Sequence, residues 1–264
     1  MGFVTKLAKA IIPSRYHARI RRGKITLRNF GLRRYCPCCK SHLARFKPFG
    51  LIPRPEARCP VCGALERHRL VWLYFQSRTN LFDGRPKKML HVAPEPQLSL
   101  LFRKAKYLEY LSADLDDPGA MVKMDITDIK YPDNFFDVIY CSHVLEHVPD
   151  DRKAMAEFYR ILKPGGWAIL QVPITADRTF EDPTVTAPAD RERLFGQFDH
   201  VRRYGPDYGE RLVAAGFSVK VDQFVLEFGD SKIQKYGLTK NEDVYFCAKS
   251  PSKRGSLFLK REPT

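Results

Sequence analysis

Apolar runs and polar breaks alternate along residues 135–172, at spacings that predict a strand, a loop, a helix, a tight turn and a second strand. The apolar run 135–141 is followed by a helical pattern from Asp150, and the break 163–166 precedes a second apolar run at 167–172. Such a βαβ unit places two parallel strands in one buried sheet. Polar side chains cluster where the first strand ends: Ser142, His143, Glu146 and His147.

The same alternation extends over most of the chain and predicts an α/β fold. Leu70, Leu73 and Tyr74 have helical spacing and predict a connecting helix over 66–78. The complete pattern predicts seven strands that alternate with helices. Strands are predicted at 88–92, 108–113, 121–124, 136–141, 167–172, 217–225 and 244–248, and helices near 97–104, 151–162 and 206–215.

Composition divides the chain into five parts. We expect a basic N-terminal segment (1–34), a cysteine module (35–66), a connecting helix and linker (67–86), the α/β domain (87–249) and a disordered tail (250–264). A short helix is expected before Pro13, with one apolar face formed by Leu7, Ala10, Ile11 and Ile12. No apolar run approaches the length of a transmembrane helix, and we identify no secretory signal.

The positive charge is concentrated in the N-terminal third. Residues 1–88 carry 21 Lys/Arg and 3 Asp/Glu, a net charge of +18, whereas residues 89–264 carry 24 and 27, a net charge of −3. One-sided basic charge favours an anionic partner such as RNA or a membrane surface. A solvated arm that only aids solubility is the alternative.

The cysteines predict a metal centre and not a disulfide framework. Seven cysteines is an odd number, and five lie between residues 36 and 62, which favours a reducing, cytoplasmic location. Two C-x2-C pairs separated by 19 residues have the spacing of a zinc ribbon with a closed, structural Zn²⁺ site. The expected ligands are Cys36, Cys39, Cys59 and Cys62, with Cys38 as a possible replacement for one of them.

The words FDVIYCSHVLEHVPD and ILKPGGWAILQVP closely resemble the fourth and fifth strands of class I S-adenosylmethionine-dependent methyltransferases of type 11. The resemblance implies a Rossmann-like, seven-stranded and mostly parallel sheet with helices on both faces, and S-adenosylmethionine as cofactor. Asp114, with Leu115, then matches the acid that holds the ribose hydroxyls, and Asp125-Ile126 matches the pair beside adenine, with Asp128 as the alternative acid. The remaining matched positions are His91, Ala93, Pro94 and Glu95 in the first loop, and Ser142 and His143 beside the sulfonium.

The first loop departs from the family pattern. Where the family has an acidic residue, this chain has His91. Ala93 and Glu95 replace two glycines, which allow close backbone approach. The two prolines, Pro94 and Pro96, make the loop rigid and remove backbone donors. We expect a pocket in which Glu95 meets the cofactor ammonium group, or else a structural turn with weak or absent cofactor binding.

Three histidines are the candidate catalytic residues, because histidine is a common general base near neutral pH. His143 and His147 follow the fourth strand, and His200 lies in the long polar segment 173–205, which has the length of a functional lid. Each of them could instead be a structural, hydrogen-bonded histidine.

The sequence therefore favours a methyltransferase whose acceptor is a small molecule or a glycan. The alternatives are an RNA methyltransferase that binds phosphates with its basic zinc module, and a non-catalytic binding protein that has lost the cofactor loop.

Overall fold

The computed structural model describes residues 14–50 and 52–251, with the backbone alone at 14–18. The predicted short helix before Pro13 and the tail from residue 252 lie outside the described residues. The helices are α1 (Ser14–Arg28), α2 (Glu66–Arg78), α3 (Pro96–Phe102), α4 (Asp151–Ile161), α5 (Pro188–Phe195), α6 (Tyr208–Ala214) and α7 (Asp230–Tyr236). The strands are β1 (Arg34–Cys36), β2 (Ser41–Leu43), β3 (Lys47–Phe49), β4 (Arg54–Arg58), β5 (Lys87–Val92), β6 (Leu108–Asp114), β7 (Val122–Lys123), β8 (Phe136–Ser142), β9 (Leu162–Gln171), β10 (Phe180–Glu181), β11 (Arg202–Arg203), β12 (Ser218–Asp222) and β13 (Val244–Ala248).

The residues form two compact units. Of the described residues, unit 1 comprises 14–50, 52–83, 95–104 and 223–243, and unit 2 comprises 84–94, 105–222 and 244–251. None of the helices in the described part of the chain is long and apolar enough to cross a membrane.

Unit 1 contains two small antiparallel hairpins, β1–β2 and β3–β4, and the helices α1, α2, α3 and α7. Helix α2 has the bounds that the sequence predicts, and its Phe75 ring meets Phe102 of α3 edge-on at 5.3 Å. The sequence does not predict α1, whose basic side chains from Arg19 to Arg28 are exposed. The anionic partner of this segment stays a prediction.

A fully buried arginine lies at the centre of unit 1. Arg69 of α2 donates hydrogen bonds to four backbone carbonyls: Ala57 and Ala64 at 2.9 and 2.7 Å, and Tyr236 and Gly237 at 2.7 and 2.5 Å. Its guanidinium also lies 4.0 Å from the centroid of the Phe46 ring. A planar group with five donors suits this arrangement, since it can serve several acceptors at once.

Unit 2 is built on a seven-stranded sheet in the order β12-β13-β9-β8-β5-β6-β7. The neighbours from β9 to β7 are parallel, and β13 is antiparallel to β9 and β12. The predicted seven-stranded, mostly parallel sheet is thereby confirmed. Residues on both faces of β5 are buried, including Leu90 and His91, as expected for a parallel strand at the centre of a sheet.

Two strands differ from their predicted bounds by more than one residue at one end. Strand β9 begins at Leu162 and not at Trp167, because Gly165 and Gly166 exchange backbone hydrogen bonds with Lys249, which keeps this stretch in the sheet although Gly165 has φ of 80°. Strand β12 ends at Asp222, three residues before its predicted end at Val225, and a 3₁₀ helix occupies Phe224–Glu227.

The long polar segment 173–205 is ordered by its own short elements. Strand β10 pairs with β11 in antiparallel orientation, and helix α5 lies between the two strands in the sequence. The buried Arg202 in β11 donates hydrogen bonds to the carbonyls of Leu145, Val148 and Pro149, at 2.7, 2.5 and 2.7 Å. The segment is thus tied to the loop that follows β8.

Acid should weaken the ion pairs that hold this segment. The carboxylate of Glu181 in β10 is 2.7 Å from Arg211 and 2.9 Å from Arg202. Hydrogen bonds to these two residues, mainly the one to Arg211, lower the pKa of Glu181 to about 2. Its stabilising contribution is therefore complete above the unfolded pKa of about 4.3 and is lost as the pH falls towards 2.

We expect Glu181→Gln to lower the free energy of unfolding by less than about 1 kcal/mol at pH 7, since the side chain is partly exposed. The difference from wild type should shrink as the pH falls below about 4.3. Urea unfolding of both proteins between pH 7 and pH 3 measures this. A difference that does not change with pH would contradict the assignment.

Candidate functional site

A cavity of about 680 Å³ opens at the carboxyl edge of the sheet in unit 2. It lies where β5, β6, β7 and β8 end, beside the point at which the strand order reverses between β5 and β8. Ligands of open α/β sheets bind at this kind of position. The lining residues are Val92, Ala93, Asp114, Leu115, Asp116, Met124, Asp125, Ile126, Thr127, His143, Val144, His147, Val148, Pro149, Asp150 and Asp199.

The two predicted acids of the cofactor pocket both line this cavity and are held by local turns. Asp114 Oδ1 accepts hydrogen bonds from the backbone nitrogens of Asp116 and Asp117, both at 2.8 Å, and no hydrogen bond engages Oδ2 among the described residues. Asp125 Oδ1 accepts from the nitrogen and hydroxyl of Thr127, and this hydrogen bonding lowers its pKa. Both side chains are therefore oriented by the turns that follow their strands.

Two non-glycine residues at the cavity have left-handed backbone conformations. Ala93, directly after β5, has φ of 46°, and His143, directly after β8, has φ of 55°. Such conformations cost about 1–3 kcal/mol and concentrate at functional sites. Ala93 therefore takes a backbone conformation for which the glycine of the family pattern would be better suited.

Other predicted cofactor residues do not line the cavity. His91 is buried, with Nδ1 2.9 Å from the hydroxyl of Tyr110, and Ser142 is also buried. Pro94 is half-buried, and Glu95 has a carboxylate oxygen 3.6 Å from His68 Nε2 within unit 1. Their roles towards a cofactor stay predictions.

The three candidate catalytic histidines lie in one cluster with two acids. His143 Nδ1 is 3.3 Å from Glu146 Oε1, and His147 Nδ1 is 3.2 Å from Asp199 Oδ2. The rings of His147 and His200 meet edge-on at 4.6 Å. Burial and the neighbouring His147 lower the pKa of His200, which favours its neutral form. The cluster can accept protons or bind a cation.

Four cysteines in unit 1 form a second candidate site. The sulfur atoms of Cys36, Cys39, Cys59 and Cys62 all lie within 4.8 Å of one another. The Cys36–Cys62 and Cys39–Cys59 sulfur pairs are each 3.7 Å apart, close to the edge of about 3.8 Å that a tetrahedron with 2.3 Å zinc–sulfur bonds requires. Cys38 lies outside the cluster, with its thiol 3.6 Å from the carbonyl oxygen of His68.

The four thiols affect one another's protonation through hydrogen bonds. Hydrogen bonds from Cys36 and the other thiols lower the pKa of Cys39, whereas the pKa of Cys59 and of Cys62 is raised because their protons bond to Cys36 and Cys39. Only a nearby positive charge would allow four thiolates at neutral pH.

Sequence reasoning did not assign a role to Glu146 or Asp199, although both stand beside a candidate histidine in the chain. Their importance follows from pairings between distant segments, which no local pattern reveals. The polar lining residues Asp116, Thr127 and Asp150 were also not predicted, although Asp116 and Thr127 closely follow strands and Asp150 caps helix α4.

Comparison with known proteins points to methyltransferases. A family profile described as a methyltransferase domain matches residues 102–170. The protein named "Probable methyltransferase ltbC" of Aspergillus luteorubrus is 32% identical over 111 residues, which are 40% of this chain and 36% of that protein. Sterol 24-C-methyltransferase erg6 of Aspergillus fumigatus is 43% identical over 47 residues, which are 18% of this chain and 12% of that protein. The chain thus spans about a third of the first relative's length and less of the second.

Solved structures with a similar arrangement include two S-adenosylmethionine-dependent methyltransferases. The protein from Mesorhizobium loti has a TM-score of 0.46 and 15% identity, over 67% of this chain and 95% of the other. The protein from Archaeoglobus fulgidus has a TM-score of 0.45 and 16% identity, over 69% of this chain and 93% of the other.

Proposed function

We propose that this chain is an S-adenosylmethionine-dependent methyltransferase. The observation that carries the proposal is the cavity at the carboxyl edge of the parallel strands, with Asp114 and Asp125 on its wall. The methyltransferase-domain match at residues 102–170 supports it, because that stretch includes both acids and ends in β9.

The proposed cofactor contacts follow the order of the strands. Asp114 and Leu115, after β6, would hold the ribose, because a carboxylate accepts hydrogen bonds from both hydroxyls. Asp125 and Ile126 would flank the adenine. Ala93 and His143 would lie beside the amino-acid and sulfonium end, and the proposed set is completed by their neighbours His91, Pro94 and Ser142.

The bound cofactor would supply an activated methyl group, so the protein has mainly to orient the acceptor and take its proton. The cluster of His143, His147 and His200 is the proposed catalytic group. His143 can donate from Nδ1 to Glu146, which leaves Nε2 as the proton acceptor. That nitrogen is buried and has no hydrogen-bond partner in the described structure.

The proposed acceptor is a small molecule or a glycan. Five acids line the cavity (Asp114, Asp116, Asp125, Asp150 and Asp199), whereas its lining contains no lysine or arginine. An acidic wall favours the cationic cofactor and opposes a phosphate-rich acceptor such as RNA.

We propose a structural Zn²⁺ ion for the four-cysteine cluster. The donor set and the sulfur separations suit tetrahedral zinc, and four protein ligands leave no position for catalysis. All seven cysteines are unpaired, which supports the proposed cytoplasmic, reducing location.

Calorimetric titration with S-adenosylmethionine and S-adenosylhomocysteine tests the proposal. Asp114→Asn keeps Oδ1 as acceptor for the turn but removes the charge, and we expect about 10- to 100-fold weaker binding, since charged hydrogen bonds contribute about 1.5–3 kcal/mol. Asp128→Asn is the matched control, because Asp128 is exposed and does not line the cavity.

Folded wild-type protein that binds neither ligand would contradict the proposal and favour the non-catalytic alternative. If Asp114→Asn bound the cofactor with wild-type affinity, Asp114 would not be a cofactor-binding residue, but the proposed activity would not be contradicted.

A further inference from the structure

Three side chains beside the cavity, of which His147 is part of the lining, are arranged as metal ligands. Glu146, His147 and His200 each offer one ligand atom, and these atoms lie within 4.8 Å of one another. Glu146 and His147 come from the loop after β8, and His200 comes from the segment before β11. The cluster therefore joins two parts of unit 2 that are far apart in sequence.

The buried carboxylate of Glu146 lacks a partner on one side. The residue is 2% exposed, and Oε2 makes no hydrogen bond in the described part of the chain, while Oε1 faces His143. Burial of an uncompensated carboxylate oxygen is costly, and native structures rarely contain one without a functional reason. A bound cation would satisfy this atom.

Each of the two histidines is oriented by an oxygen atom of another residue. His147 Nδ1 is 3.2 Å from Asp199 Oδ2, and His200 Nδ1 is 3.3 Å from the carbonyl of Phe195. Each Nδ1–H can donate to its oxygen, which leaves Nε2 with a lone pair. Metal-bound histidines almost always have such an outer partner, because it fixes the tautomer and the ring orientation.

The backbone around the cluster is held in place as well. The nitrogen of Val201 donates to the carbonyl of Glu146 at 2.9 Å, and Arg202 bonds the carbonyls of the same loop on both sides. Ligands from the two segments are thus positioned before any cation binds, as a pre-organised site requires.

We propose that Glu146, His147 and His200 bind one first-row divalent cation, and that this cation binds a hydroxyl oxygen of the methyl acceptor. Two imidazoles and one carboxylate suit Zn²⁺, Mn²⁺, Fe²⁺ or Co²⁺, and three protein ligands leave positions open for water or substrate. The role in methyl transfer rests on the proposed function, whereas cation binding does not. The acceptor class is then an alcohol, a phenol or a sugar hydroxyl.

The cation would favour loss of the hydroxyl proton, because it stabilises the oxygen anion. That proton passes to His143 Nε2. The oxygen lone pair forms the new O–C bond with the methyl group, and the electron pair of the broken C–S bond stays on sulfur. Charge and atoms balance, with S-adenosylhomocysteine, the methyl ether and a protonated histidine as products.

Titration of the full chain with Mn²⁺ tests the cation site. The electron paramagnetic resonance signal of free Mn²⁺ is used to monitor binding. Thiolates are poor Mn²⁺ ligands, so the four-cysteine cluster does not interfere. We expect one Mn²⁺ per chain, with enhanced water-proton relaxation that reports an open coordination position. Zinc analysis of the purified protein is made first, since a second zinc equivalent per chain would occupy the same site.

Glu146→Gln and His147→Asn are each expected to weaken cation binding at least about tenfold, which is the lower range for loss of a metal-site partner. Glu192→Gln is the matched control, because Glu192 is an exposed carboxylate in α5 of the same unit. Binding of S-adenosylhomocysteine and circular dichroism show whether each variant is folded.

Two results would overturn the proposal. The first is folded wild-type protein that binds no Mn²⁺ and contains no second zinc. The second is cation binding that is unchanged in both Glu146→Gln and His147→Asn. Either result, obtained with intact binding of S-adenosylhomocysteine, would remove the cation and leave the methyltransferase proposal in place.

Discussion

Replacement of Arg69 by methionine is expected to lower the free energy of unfolding of unit 1 by about 3–5 kcal/mol. Methionine fills a similar volume, but it cannot donate to the four carbonyls that Arg69 bonds. Those carbonyls are left without a partner, and the contact with the Phe46 ring is also lost. Urea unfolding, monitored by circular dichroism, measures the change in the free energy of unfolding.

Arg78→Met is the control for this experiment. Arg78 lies at the end of the same helix and pairs with Glu227, but its side chain is 43% exposed. Surface ion pairs contribute at most about 1 kcal/mol, so the loss should be small. A smaller effect for Arg69→Met than for Arg78→Met would show that the buried hydrogen bonds do not stabilise unit 1.

Removal of the metal from the four-cysteine cluster should have an effect of at least the same size. Structural zinc sites bind with apparent free energies of about 10–16 kcal/mol, and that energy is available for folding. Cys59→Ser, or treatment with a strong chelator, should release about one zinc ion per chain. Hydrogen exchange should then lose protection in residues 34–62, which contain β1 to β4.

Cys38→Ser gives the matched control, because Cys38 is buried in the same module but its sulfur lies outside the cluster. It should keep its zinc. Zinc retained in Cys59→Ser, or zinc lost in Cys38→Ser, would contradict the assigned ligand set.

Long apolar runs and paired cysteines were sufficient to predict much of this fold. Strand β8 and residues 167–170 of β9 are apolar runs, and α2 was predicted from the helical spacing of Leu70, Leu73 and Tyr74. Helices α5 and α7 were not predicted, because each is short and buries a single side chain, Phe195 and Ile233 respectively.

The candidate site could be predicted only where one segment determines it. Asp114 and Asp125 were predicted from the family resemblance of short segments around single strand ends, and both line the cavity. The pairing of His147 with Asp199 depends on Arg202, which ties the segment before β11 to the loop after β8. The side chain of Glu95 could not be placed from sequence either, since its partner His68 lies in another element.

The four carbonyl groups that accept hydrogen bonds from Arg69 are synthesised at very different times. Ala57 and Ala64 precede Arg69, whereas Tyr236 and Gly237 follow it by 167 and 168 residues. At about 5–20 residues per second, a ribosome needs roughly 10–30 s to make that intervening stretch. The four cysteines all precede this stretch, so the proposed zinc ion could bind them while two of the four carbonyl acceptors of Arg69 have not yet been synthesised. A fragment that ends at residue 83 would stay permanently in that half-bonded state.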